Sequence, residues 1–122
     1  MTETMNEATT DPTCIFCRIA AGSIPATVVA RNHQAMAFRD LNPQAPSHIL
    51  VIPLRHVDSL ASADNPCEVG GALALAAEVA EAEGLGEGGY RVVTNIGRDG
   101  GQTVQHLHFH VLGGRQLHWP PG

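Results

Sequence analysis

The residues best able to do chemistry in this 122-residue chain crowd near its end: His106, His108 and His110, interleaved with Leu107, Phe109 and Val111. Side chains alternate across a strand, so this spacing puts three imidazoles on one face and three apolar groups on the other. Neighbouring imidazoles then stand ~7 Å apart and the outer two ~14 Å. Two neighbours can share a metal ion at that spacing; all three cannot. Three readings stay open: a solvent-facing row, a His-x-His metal pair as in some zinc enzymes, and a catalytic row. Imidazole is a nucleophile, exchanges protons near neutral pH and, when protonated, holds anionic oxygen. Just upstream, Gly100-Gly101-Gln102-Thr103 offers backbone N–H groups, an amide and a hydroxyl. That set suits an anion such as phosphate, and also reads as an ordinary glycine-rich turn.

The second reactive group lies at the other end of the chain. Cys14 and Cys17 form a Cys-x-x-Cys pair, and Cys67 brings the count to three. An odd count is a poor disulfide framework, and thiols or metal ligands in a reducing compartment are expected, which places the protein in the cytoplasm.

These groups need a scaffold. Residues 1–12 read as a disordered polar tail and 13–122 as a single domain. Cys14 to Ala20 reads as a short helical turn capped by Asp11 or Thr13 and ended by Gly22. Ala26–Ala30 and Ala35–Arg39 read as a hairpin across the polar turn at 31–34. A loop with Pro43 and Pro46 follows. His48–Pro53 is almost wholly apolar and reads as a central strand buried on both faces. Asn65 to Gly84 is the one long helix, with Asn65 as N-cap, Pro66 in the first turn and Glu68 in capping-box position. Its apolar positions are expected at Val69, Leu73, Ala76, Ala77 and Ala80. Tyr90–Asn95 and Val104–Leu112 are the last strands, joined by a loop at 97–101. The sum is an α+β domain with a five-stranded antiparallel sheet, one long helix and one short one.

Composition narrows the function classes. Hydrophobic residues make up 43% and charged ones 16%, which suits a compact globule. The formal net charge is −5, and all seven basic residues are Arg. That balance argues against a nucleic-acid-coating protein. No apolar run reaches the ~20 residues that span a bilayer, and the polar, acidic start does not read as a signal peptide. The Arg-only, Ala- and Gly-rich composition hints at a GC-rich bacterial source.

The stretch GGQTVQHLHFHVLGGRQLHWPPG, with FRDLNPQAPSHILVIPLRH and GYRVVTNIG, resembles the histidine triad (HIT) family from about residue 13 onward. The closing 113–122 is similar to the nucleotide-binding branch that hydrolyses purine nucleoside phosphoramidates. The resemblance implies a HIT-like fold that dimerises into a continuous sheet, and P–N cleavage releasing AMP or GMP through a nucleotidyl-histidine. It assigns His108 as nucleophile, His110 to the phosphate and leaving group, and His48 as a fourth active-site histidine. Gln102 and Thr103 match residues that hold phosphate and assist amine departure. Relatives often carry Ser at the position of Thr103. Asn95 and Gly101 match the phosphate side, and Asp40 matches the carboxylate that binds ribose hydroxyls. Ile15, Phe16, Ile19, Phe38, Leu41 and Leu50 match the walls of the purine pocket. Trp119 matches a tail residue that reaches the partner subunit's site. The Cys pair resembles the bacterial zinc-carrying variant, which implies a structural zinc on Cys14, Cys17, His56 and His106 and no cofactor for the chemistry itself. Other readings are a dinucleoside polyphosphate hydrolase, a nucleotide-binding or adaptor protein with little turnover, and a zinc-stabilised interaction module.

Overall fold

The computed structural model describes residues 10–122, so most of the expected 1–12 tail lies outside the described residues. In chain order the elements are α1 (Ile15–Ala20), β1 (Val28–Arg31), β2 (Ala35–Arg39) and β3 (Ser47–Pro53). A 3₁₀ turn (Leu60–Ser62), α2 (Pro66–Ala82), β4 (Tyr90–Val93), the single-turn α3 (Gly97–Gly100) and β5 (Phe109–Gly113) follow. The five strands form one antiparallel sheet in the order β1-β2-β3-β5-β4.

β3 is buried along its whole length because both faces of the sheet are covered. Ile49 and Val51, with Ala35 and Ala37 of β2 and Phe109 and Val111 of β5, pack under α2. Leu50 and Ile52, with Met36 and Phe38, pack on the other face against Phe16, Ile19 and the cysteines of α1. Period-two alternation thus assigns one set of side chains to each layer, which is how a continuous apolar run becomes a central strand.

α2 starts as its sequence directs: the Asn65 side chain accepts from the N–H groups of Cys67 and Glu68, and Pro66 opens the helix. Two expectations need correction. Glu68 does not turn back to the cap; its carboxylate takes a two-pronged bond from Arg55 at 2.9 and 2.8 Å. The buried stripe is Ala72, Leu75, Ala76, Val79 and Ala80, while Leu73 and Ala77 face solvent. An alanine-rich helix carries a weak apolar contrast, so its rotational phase comes from the sheet it covers.

Several boundaries also differ: β3 begins one residue early, at Ser47, and β4 stops at Val93 instead of Asn95. Cys14, not Asp11 or Thr13, caps α1, its sulfur accepting from Cys17 N–H. β1 runs later than expected and takes in Arg31. Residues 97–100 coil into α3, closed by Gly101 at φ +80°. The last strand starts at Phe109 instead of Val104. There the chain leaves the ladder because Pro53 O accepts from the His106 ring, and Leu107 N–H donates to Val57 O at 2.6 Å.

Candidate active site and metal cluster

Because β5 begins late, His106 and His108 sit in irregular chain just before it, and only His110 lies within the strand. The regular row of three imidazoles gives way to two clusters with different chemistry. The apolar partners behave as the alternation requires: Leu107, Phe109 and Val111 are all buried in the α2-side core.

His106 is fully buried and turns toward α1. Its Nε2–H donates to Pro53 O at 2.9 Å, which leaves Nδ1 as a lone pair facing Cys14 Sγ at 3.3 Å and Cys17 Sγ at 3.5 Å. His56 is arranged alike: Nε2 meets the Asp58 carboxylate at 2.8 Å and Nδ1 faces Cys17 Sγ at 3.2 Å. One donor atom from each of Cys14, Cys17, His56 and His106 converges within 4.8 Å of the others. Two soft sulfurs and two imidazole lone pairs, each imidazole with its other N–H held by an acceptor, fit a tetrahedral metal ion of the zinc type. Burial pushes the Cys17 thiol up to about 11 and holds His106 down to about 4, so an ion entering here would displace the thiol proton and find the imidazole neutral.

The second cluster is His108, His110, His48 and Asp40. His108 Nδ1–H donates to His106 O at 2.7 Å, which leaves His108 Nε2 as the free lone pair. Thr94 Oγ1 donates to His108 O at 2.8 Å and fixes the same residue from the β4 side. Phe16 stands edge-on to the rings of both His106 and His108, at centroid distances of 5.9 and 5.2 Å. His48, at the start of β3, puts Nε2 2.8 Å from His110 Nδ1 and 3.4 Å from Asp40 Oδ2. Burial, then the charges possible on His108 and His48, hold His110 down to about 4; burial also lowers His48, opposed by Asp40. Both are therefore neutral near pH 7. Buried lone pairs and N–H groups are the inventory for nucleophilic and proton-transfer chemistry.

The remaining expected residues are placed unevenly. Phe16, Ile19, Phe38 and Leu50 are buried together on the α1 face beside the second cluster. Ile15 is half-exposed and Leu41 is 96% exposed, so neither forms a closed wall within a single chain. Asn95 and Gly101 flank α3, and Thr103 is exposed. The Gln102 amide is committed to protein: it accepts from Gly97 N–H and donates to the carbonyls of Asp58 and Val104. In this position it ties α3 to the segment carrying His56. Trp119 is 80% exposed on a tail held where Arg91 donates to His118 O.

Several contributing groups escaped the sequence. Asp58 was findable, since it lies only two residues beyond His56. The Gln44 N–H, which donates to His48 Nδ1 at 3.0 Å, and the carbonyls of Pro53 and His106 are backbone groups with no residue-type signal.

Residues 21–117 match the HIT domain. An uncharacterized HIT-like protein of Synechococcus elongatus is 50% identical over 110 residues, covering 88% of this chain and 96% of the relative. A HIT family hydrolase from Legionella pneumophila superposes with a TM-score of 0.87 at 48% identity, covering 90% of this chain and 100% of that one. A histidine triad nucleotide-binding protein from Candida albicans superposes at 0.78 with 30% identity, covering 88% and 83%. With the domain matched across most of its length, and the five-stranded sheet and Cys-x-x-Cys/His cluster in place, the chain belongs to the HIT domain family.

Proposed function

We propose that the protein is a purine nucleotide phosphoramidate hydrolase that works through a nucleotidyl intermediate on His108. The observation that carries the reading is the bond from His108 Nδ1–H to His106 O, because it fixes the tautomer whose Nε2 is an unprotonated nucleophile. In the first step Nε2 bonds to phosphorus, the P–N bond to the amine breaks, and the amine leaves with the His110 Nε2 proton, which a proton from solvent replaces so that His110 stays neutral. In the second step water's oxygen replaces Nε2 on phosphorus and one of its protons passes to solvent, restoring the one taken up in the first step. One water is consumed: its oxygen ends on the nucleotide and one hydrogen on the amine. Thr103 supplies a hydroxyl near the leaving group, and Asn95 and the Gly101 backbone face the phosphate. Asp40 has one carboxylate oxygen on Asn42 N–H and the other toward His48, and its partial exposure leaves it open to ribose hydroxyls. Phe16, Ile19, Phe38 and Leu50 supply the apolar side for AMP or GMP, with Ile15 and Leu41 at its rim.

Cys14, Cys17, His56 and His106 would hold a structural zinc ion, which supplies a crosslink between α1 and the segment before β5 and takes no part in the reaction. Two such chains would pair as a homodimer: the edge strand β4 leaves Tyr90 and Val92 each 39% exposed, and Trp119 is free to reach a partner's site. Among the described residues no helix is long and apolar enough to cross a membrane. The free thiols suit the reducing cytoplasm.

The test is AMP release from adenosine 5′-phosphoramidate by wild type and His108→Ala. Release that the substitution abolishes supports the reading. AMP binding without release by either protein overturns it in favour of a nucleotide-binding protein.

A further inference from the structure

Asp40, His48 and His110 also bring three potential ligand atoms within 4.8 Å of one another. Two imidazoles and a carboxylate are a common donor set for divalent metals. The hydrogen-bond partners of the two clusters nevertheless differ in kind. In the Cys/His cluster, each imidazole's outer nitrogen meets an acceptor, Pro53 O or the Asp58 carboxylate, so the inner nitrogen carries the lone pair. At His48 the outer nitrogen, Nδ1, meets a donor: the Gln44 N–H at 3.0 Å. A neutral imidazole has one N–H and one lone pair. Nδ1 must therefore accept, and the proton must sit on Nε2, the atom that faces His110 and Asp40. His110 Nδ1, 2.8 Å away, is then the acceptor and His110 Nε2 carries the remaining proton.

We infer that the backbone amide of Gln44 is a positioning group that fixes the His48–His110 proton arrangement and thereby keeps divalent metals out of the Asp40–His48–His110 trio. For His48 Nε2 to ligate a metal, its proton would have to move to Nδ1, where it would point at the Gln44 N–H. Two donors would then face each other in a site where His48 is only 5% exposed. The Gln44 backbone is itself held: Arg115 donates through Nε and Nη2 to Gln44 O at 3.2 and 3.0 Å. The Gln44 side chain only donates to Asn42 O, so the effect belongs to the main chain. The role in the reaction rests on the proposed hydrolase reading; the tautomer and the metal selectivity do not.

Both are tested on the full chain without measuring turnover. In ¹⁵N-histidine-labelled protein at pH 8, long-range ¹H–¹⁵N spectra should show His48 Nδ1 as the unprotonated type and Nε2 as the protonated type. Cobalt(II) added alone should bind one equivalent, with the thiolate charge-transfer band of the Cys/His cluster, and no second equivalent. Gln44→Ala keeps the N–H and should match wild type in both experiments. Gln44→Pro removes the N–H and should tighten cobalt binding at the trio by roughly 10–100-fold, the usual cost of a buried donor left facing another donor. A His48 proton on Nδ1 in wild type, or a second cobalt equivalent bound by wild type, overturns the inference even if Gln44→Pro fails to fold. Wild type that shows the expected tautomer and stoichiometry but releases no AMP refutes the hydrolase reading and leaves this one standing.

Discussion

Replacing His110 with asparagine separates its role as proton donor from its role in packing. Asparagine Oδ1 stands close to where imidazole Nδ1 does, so it can still accept from His48 Nε2, now 2.8 Å from His110 Nδ1. The ring contacts to His48 and His108, both at 5.1 Å, are lost. At roughly 0.5–1 kcal/mol each, these make the variant about 1–2 kcal/mol less stable, which leaves it folded. The Nε2–H vanishes altogether. A positioned general acid contributes about 10²–10⁴ in rate, or roughly 3–5 kcal/mol of barrier. The assay compares two substrates sharing AMP, an alkylamine phosphoramidate and a nitrophenyl ester whose anion leaves without a proton. The variant should lose ~10²–10⁴ on the amine and stay within about tenfold of wild type on the ester. Equal losses on both substrates would refute proton donation by His110 and leave only a packing role.

Three further outcomes follow from the same geometry. Stripping metal from the Cys14–Cys17–His56–His106 cluster should remove about 4 kcal/mol of stability if zinc was present at ~1,000 times its Kd. In a domain of this size that lowers Tm by roughly 15 °C, and scanning calorimetry that shows no shift with chelator contradicts a structural ion. His110 is held down to about 4 against an ordinary 6.5, so between these values the native state binds fewer protons than the unfolded chain. Stability should thus fall as pH drops from about 6.5 toward 4, by about 1–2 kcal/mol from His110 after allowing for its partial exposure, as read by urea denaturation across that range. Leu75 is 1% exposed and Leu73 is 43% exposed. Leu75→Ala should therefore cost about 2–5 kcal/mol and Leu73→Ala under about 1 kcal/mol, with reversed costs restoring the helix phase expected from sequence.

The fold was largely legible because its signals are local and strong. The apolar run at 48–53 and the Asn65-Pro66 helix start each specify their element with little help from tertiary structure. Leu107, Phe109 and Val111 revealed the core side of the last strand for the same reason. Reading on to Val104 failed because alternation in sequence says nothing about hydrogen-bond partners. His106 spends its ring N–H on Pro53 O and its lone pair on the cysteines, which bends the chain off the ladder. The Cys/His ligand set was reachable from residue types and resemblance. The groups that choose tautomers were not: the His106 carbonyl and the Gln44 amide are main-chain atoms supplied by where the backbone runs. Gln102 shows the converse, a side chain with a suitable amide whose hydrogen bonds are spent on joining loops.

The measurement that bears most directly on the central claim is to trap the intermediate. The protein is mixed with the nitrophenyl ester of AMP, quenched in alkali within one turnover, digested and mapped by mass spectrometry. One adenylyl group per active chain is expected, bonded to His108 and absent in His108→Ala. Turnover with no adduct, or an adduct on another histidine, would contradict the His108 mechanism.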